Sequence, residues 1–312
     1  MHHAAGAIAS AFDLGAVRSL EGPVARGEQG QVWRLETTRG AFAVKETLAP
    51  LEEADVARAT GFAEAAAAAG VPTPAAVRTV DGALLQPVPG ATVRVFAWCD
   101  LDPRDRGADP AAVGRLLAIL HRVGYDDGAP LDPWYAEPVG AERWRELTEE
   151  VVARDGPYAA ELRGLCDELV ALDALVEPPR TLATCHRDLW AENLRQSGGG
   201  GLCVIDWDDC GLADPSYELA AVLWEFALGD PERARRLYRT YVAAGGPGRV
   251  ERRADFSMLI AQIGHIGEST LATWLDPATA PAERERQVER IAELVEGDLT
   301  RAVLDRLLAA ID

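Results

Sequence analysis

Between Cys185 and Asp209 the chain reads C-H-R-D-L-W-A-E-N-L, then R-Q-S and four glycines (198–201), then L-C-V-I-D-W-D-D. Three side chains there can serve one reaction. Asp188 is a carboxylate able to accept or orient a proton, and Asn193, five residues on, offers a neutral amide oxygen. Asp206 closes the apolar run 202–205. The chemistry that needs this set is phosphoryl transfer. A nucleoside triphosphate carries several negative charges and must be held through a divalent cation. Mg2+ prefers oxygen ligands and takes one or two carboxylates, with waters and phosphates completing its shell. Asn193 and Asp206 are the candidate cation ligands, and Asp188 is the candidate acid–base group. Ser197 and the glycine run suit a β-turn, so the flanking segments predict a hairpin that brings Asn193 and Asp206 to one end.

The string H-R-D-L-x-x-x-N followed by I-D-W resembles the aminoglycoside phosphotransferase and related small-molecule kinase family, which is similar in fold to protein kinases. Trp207, where protein kinases carry Phe-Gly, favours the small-molecule branch, as does G-L-A-D-P-S-Y-E-L-A (211–220). Two positions depart from the family: Arg187, where Gly is more usual, and Glu218, where Asp is. The competing reading is a chance H-x-D beside a buried strand, which the combined spacing disfavours. The resemblance implies an α+β, two-lobed protein-kinase-like fold with a small β-rich N-lobe (1–87) and a larger, mainly helical C-lobe (88–312). It implies ATP and Mg2+ as cofactors, Asp188 as the catalytic residue, and Asn193 and Asp206 as the metal ligands.

Further elements must position these groups. Alternating runs through 26–35 and 41–45 around a Gly-ended turn predict an antiparallel hairpin. Gly27 and Gly30 bracket its first tip, where backbone N–H groups approach phosphate oxygens without a Cβ in the way. A G-x-x-G alone equally marks a bare turn. Lys45 ends the second strand; without a ligand it would be a solvated strand-end lysine, and the resemblance implies contact with the α- and β-phosphates. An alanine-rich helix over 51–69 is closed by Gly70 and Pro72-Thr73-Pro74. In the family such a helix carries a Glu paired with the lysine. That position falls near Ala59 or Thr60, which are not acidic, while Asp55 and Glu64 flank it by about a turn; the acid partner stays open. Residues 83–89 read as a strand and linker, and the resemblance implies that backbone groups from Gln86 to Val88 hold the adenine edge there.

From Asp109 onward the pattern is helical: a helix ending at His121, whose expected role is with the C-terminal dipole, then 141–176, 217–228, 232–244, 253–275 and 282–310. The site is expected between the two lobes. Lys plus Arg total 31 against 50 Asp plus Glu, a formal charge of −19. That balance argues against nucleic-acid binding. It suits an amine-bearing acceptor, although an acidic surface equally serves solubility. Asp208, Asp209, Glu218, Glu225, Glu268 and Asp276 are the acidic candidates for such an acceptor. The five cysteines form no C-x-x-C, so free thiols in a reducing cytoplasm are expected; zinc held by Cys185, His186, Cys203 and Cys210 fits no familiar spacing. Neither an export signal nor a membrane span is expected, and a monomer or weak dimer is. The resemblance implies a small hydroxylated acceptor, often an aminoglycoside. Choline-, homoserine- or sugar-kinase activity is the alternative, and a non-catalytic nucleotide-binding protein is the rival of another class.

Overall fold

The structure is a computed structural model and describes residues 1–27, 30–126 and 128–312. Its chain forms two compact units, 1–105 with 188–210, and 106–187 with 211–312. Residues 88–105 and the segment 188–210 therefore group with the first unit.

The first unit is built on an antiparallel sheet of β1 (Val17–Arg26), β2 (Gly30–Thr37), β3 (Gly40–Thr47), β4 (Ala76–Val77), β5 (Gln86–Val88) and β6 (Ala91–Ala97). Its order is β1-β2-β3-β6-β4, with β5 also paired to β6. Period-two patterning divides the two faces of β3 and β6. Val44, Val93 and Val95 are fully buried against Ile8 and Phe12, around the short N-terminal helix α1 (Ala5–Ala11). Lys45 and Arg94, which pair in register, point to the other face. The linker expected at 87/88 is a tight turn. Pro89 and Gly90 (φ 82°) return the chain along β3 as β6, because Gly takes that φ without a Cβ penalty.

Helix α2 (Glu53–Ala68) follows β3, close to the expected 51–69. Two short strands, β7 (Ala183–Cys185) in the second unit and β8 (Leu194–Gln196) in the first, precede β9 (Leu202–Val204) and β10 (Gly211–Ala213). β8 and β9 form the expected hairpin. Its turn closes through Ser197 N–H to the Gly201 carbonyl (2.9 Å), with Gly200 and Gly201 at positive φ.

The second unit is helical: α3 (Pro110–Leu120), α4 (Pro133–Ala136), α5 (Ala141–Ala153), α6 (Ala159–Asp173), α7 (Pro215–Ala227), α8 (Pro231–Ala243), α9 (Ser257–Leu275), α10 (Pro281–Glu296) and α11 (Arg301–Ile311), with β7 and β10 paired. Trp144, Leu147, Val151, Leu162, Leu271 and Ile291 form its core between α5, α6, α9 and α10. The single helix expected over 282–310 is two. Gly297 ends α10, and the Thr300 side chain caps α11 by accepting from Val303 N–H (3.3 Å). Asp214 caps α7 at Ser216 N–H (2.9 Å) and also accepts from Arg180 and Thr181 N–H, which fixes where β10 hands over to the helix. No helix among the described residues is long and apolar enough to cross a membrane.

Helix α3 packs on α8 through Gly114, where an added Cβ would collide with the Leu237 carbonyl and come within 3.1 Å of Tyr241 N. Overpacking costs roughly 1–3 kcal/mol. The helix-propensity gain of Gly→Ala is about 1 kcal/mol and is outweighed when the obstacle is backbone. Gly114→Ala should therefore lower the thermal midpoint, and an unchanged or raised midpoint in a melting scan would contradict this packing.

Candidate active site

Every residue singled out from the sequence for catalysis, metal or nucleotide lies in the first unit: Gly27, Gly30, Lys45, Gln86, Val88, Asp188, Asn193 and Asp206. The hairpin does what its spacing required. Ile205 N–H donates to the Asn193 carbonyl (2.9 Å), so Asn193 and Asp206 stand side by side where β8 and β9 meet the loop. That loop is a turn in which Asn193 and Leu194 N–H both donate to the Trp190 carbonyl at 2.9 Å. The Asn193 amide donates from Nδ2 to the Asp188 carboxylate (2.6 Å) and carbonyl (2.9 Å). This orientation leaves Oδ1 as the atom for a cation.

Asp206 sits at φ 58°, a backbone region non-Gly residues rarely occupy, and its side chain is 43% exposed. Its neighbour Trp207 is buried, donating to Thr73 Oγ1 (2.9 Å) and meeting the Phe62 ring of α2 edge-on at 5.4 Å. The donor set fits a hard cation: an amide oxygen and a reachable carboxylate at one hairpin end, with no sulfur or imidazole among them.

Burial, then the charges of Asp209 and Asp206, push the Asp188 carboxyl up to about 7, against the opposing hydrogen bonds from Trp190 and Asn193. A carboxyl titrating there is matched to accepting a proton at neutral pH.

Lys45 lies on Asp206 (2.5 Å) and on Asp208 (2.7 Å), and Asp208 also takes Arg94 Nη2 (2.5 Å). Burial alone would lower the Lys45 ammonium; the two carboxylates outweigh it and raise the net value. Burial likewise opposes ionisation of Asp208, but Lys45 and Arg94 hold it well below the usual carboxylate range. This answers the question of the lysine's acid partner. Asp55 pairs with Arg58 and Glu64 with Arg78 (2.7 Å), all on exposed surface, while Ala59 and Thr60 are buried. Asp208, one of the six acidic candidates for the acceptor, is thus engaged by Lys45 and Arg94. The missed signal was Arg94, a charged residue inside an otherwise apolar strand.

Gly30 is demanded by close approach. A Cβ there would sit 2.8 Å from the Glu46 carbonyl and 3.4 Å from Lys45 Cε, whereas one on Gly27 would meet nothing. Gly27 N–H closes on the Gly30 carbonyl (2.9 Å); the tip between them, Glu28 and Gln29, lies outside the described residues. Gln86 and Val88 are not brought to this cluster. They pair with Val93 and Ala91 of β6, and Val88 packs on the α1 core, the face away from Lys45.

Of the other acidic candidates in the second unit, Glu218 and Glu225 are buried, Glu268 is half-buried and Asp276 is exposed. Glu218 is 1% exposed, meets His121 Nε2 (2.7 Å) and accepts from Arg187 N–H. His121 Nδ1 meets Tyr241 Oη (2.7 Å), so the expected dipole role of His121 gives way to a buried bracing chain. Burial opposes the Glu218 charge, but the His121 bond and the His121 and His186 charges keep its carboxyl below the usual range. Glu225 pairs with Arg106 (3.1 Å) and Glu268 with Arg143 (2.7 Å). Among the described residues the metal-competent cluster is His121, Cys185 and Glu218, not the cysteine set. The direct His121–Glu218 contact leaves no room for an ion between them, and burial pushes the Cys185 thiol well up, which keeps it protonated.

The phosphotransferase enzyme family matches residues 22–256, and the chain belongs to that family. A homoserine kinase of Pseudomonas aeruginosa (strain PAO1) is 30% identical over 251 residues, covering 74% of this chain and 73% of that protein. A homoserine kinase of Acidiphilium cryptum is 30% identical over 190 residues, 59% of this chain, and the match spans 57% of its own length. Among solved structures, an aminoglycoside phosphotransferase from Alicyclobacillus acidocaldarius superposes with TM-score 0.67 at 19% identity, covering 98% of this chain and 96% of that one. The spectinomycin phosphotransferase APH(9)-Ia, in complex with ADP and spectinomycin, gives 0.68 at 12% identity, covering 98% of each chain. These structural likenesses establish the protein-kinase-like fold.

Proposed function

We propose that this chain transfers the γ-phosphate of ATP to a hydroxyl of a small amino alcohol. The observation that carries the reading is the meeting of Asp188, Asn193, Asp206 and Lys45 in one cluster. In the proposed complex the Lys45 ammonium binds α- and β-phosphate oxygens, and Gly27 and Gly30, without Cβ atoms, let the phosphates approach the backbone. Any adenine contact at Gln86 and Val88 uses the edge of β5 that is not paired to β6. Mg2+ held by Asn193 Oδ1 and Asp206 would neutralise phosphate charge when bound. The Asp188 carboxylate holds the acceptor hydroxyl, fixes its line of approach, and takes its proton late, since the phosphoryl transition state is loose. Asn193 Nδ2 keeps that carboxylate aimed.

Two observations favour an acceptor of homoserine size over a large polycation. The relatives named above are called homoserine kinase, and Asp208, Glu218, Glu225 and Glu268 are already committed to cations or histidine of their own unit. An aminoglycoside is the second reading, favoured by the structural likeness. The test is ADP release with ATP and Mg2+ across L-homoserine, choline, simple amino alcohols, neutral sugars and aminoglycosides. Turnover confined to small amino alcohols is expected. Turnover confined to aminoglycosides moves the assignment to the second reading, and tight ATP binding without turnover on any of them overturns phosphotransfer.

A further inference from the structure

Lys45 and Arg94 are direct partners across the β3–β6 ladder, so two cations project side by side from one face of the sheet. Like charges placed directly opposite destabilise a sheet unless an anion lies between them. Asp208 is that anion, bonded to Lys45 at 2.7 Å and to Arg94 at 2.5 Å, with all three side chains at most 16% exposed. Among its described residues helix α2 supplies no alternative: the buried ones are Val56, Ala59, Thr60, Phe62 and Ala66, Glu53 is exposed, and Asp55 and Glu64 pair with surface arginines. The other partner of Lys45 is Asp206, which the proposed reaction assigns to the cation. A lysine dependent on Asp206 alone would be released whenever that carboxylate turned to the metal.

We propose that Asp208 is the fixed acidic partner of Lys45, a positioning residue that stands in for the missing helix carboxylate and is itself locked to the sheet by Arg94. This rests on the phosphotransferase reading above. The tripeptide 206–208 then has divided duties: Asp206 for the cation, Trp207 for anchoring to Phe62 and Thr73, and Asp208 for aiming the lysine. One consequence separates this chain from kinases whose lysine pairs with a helix acid. The carboxylates of α2 have no part in lysine placement, so their removal leaves ATP handling untouched.

The experiment compares Asp208→Asn, Asp208→Glu and the double variant D55N/E64Q with the native chain. Two readouts are taken: the rate at which a small amine-reactive acylating reagent labels Lys45, followed by peptide mass spectrometry, and the KM for ATP and for the acceptor. Asp208→Asn should label several-fold faster and raise the ATP KM about tenfold, the loss of one charge-assisted hydrogen bond, with the acceptor KM unchanged. Asp208→Glu keeps the charge and should stay within about threefold of native on both readouts. D55N/E64Q should match native. Equal labelling in native and Asp208→Asn chains, or an ATP KM raised as much by D55N/E64Q, overturns the proposal. If Asp208→Asn does not fold, a labelling rate of Asp208→Glu equal to that of the unfolded chain does the same. Labelling needs no turnover, so a native chain inactive on every acceptor would defeat the functional reading while leaving this one decided by the Lys45 rates.

Discussion

Asp188→Asn is expected to lose about 10³-fold in turnover, within the range for removing a positioned proton acceptor, while binding ATP as the native chain does. The same substitution should stabilise the fold at alkaline pH. The folded carboxyl keeps its proton up to about 7 because of burial and the Asp209 and Asp206 charges. An unfolded Asp releases its proton near 4. Between those values the folded state binds more protons than the unfolded one, so stability falls as pH rises through the interval, and the deficit is complete above the folded value. The full displacement corresponds to about 4 kcal/mol at roughly 1.4 kcal/mol per unit. Partial exposure of the group and solvent screening lower the expected gain of the Asn variant to about 1–2 kcal/mol. In a chelator-containing buffer, urea unfolding should show the Asn variant more stable at pH 8 and level with native near pH 4. A native chain equally stable relative to the variant at both pH values would show that Asp188 ionises normally, and its assignment as a tuned proton acceptor would fall.

The part of this site that could be read from the sequence is the part encoded by local spacing. A glycine turn between two short apolar runs has few ways to close, so the neighbourhood of Asn193 and Asp206 was accessible from the hairpin alone. Lys45 was accessible for a similar reason, as the residue after a buried valine on an alternating strand. Its acid partner was not. Asp208 lies 163 residues away, and the family resemblance points to α2, whose surface carboxylates turn out to serve neighbouring arginines. That 83–89, which reads as a strand and linker, runs into a tight turn was not legible, because strand patterning does not reveal whether the next strand belongs to the same sheet. Residues 282–310 read as one helix because Gly297 and Thr300 are caps only if the chain turns there, which packing decides.

Glu218 was the least legible residue, since an acid in a helical pattern reads as solvent-facing, and it carries the largest expected stability effect. It is 1% exposed and bonded to His121 and to Arg187 N–H, which hold its carboxyl below the usual range against burial. Removing this buried carboxylate leaves both His121 and the Arg187 N–H without their partner, at about 1–3 kcal/mol for each group left unsatisfied. Glu218→Ala should therefore take a sizeable share of a domain's usual margin of roughly 5–15 kcal/mol. Tyr241→Phe, which removes only the hydroxyl beyond His121, should lose about 1 kcal/mol. The residue also bears on rate. Arg187, directly ahead of Asp188 in the chain, sits at φ 65°, a backbone glycine adopts freely and arginine does not. Its strain is offset by the Glu218 carboxylate on its N–H and by stacking of its guanidinium 4.0 Å from the Tyr135 ring. Glu218→Asp, the acid usual elsewhere in the family, is one methylene shorter and cannot keep both the His121 and the Arg187 contacts at their present lengths. It should fold, with kcat reduced and the ATP KM near native, because the defect lies in the backbone leading into Asp188 and not at Lys45, the proposed phosphate contact. A Glu218→Asp chain of native kcat, or a Glu218→Ala chain with an unchanged urea midpoint, would mean that the catalytic loop holds its left-handed turn without this carboxylate.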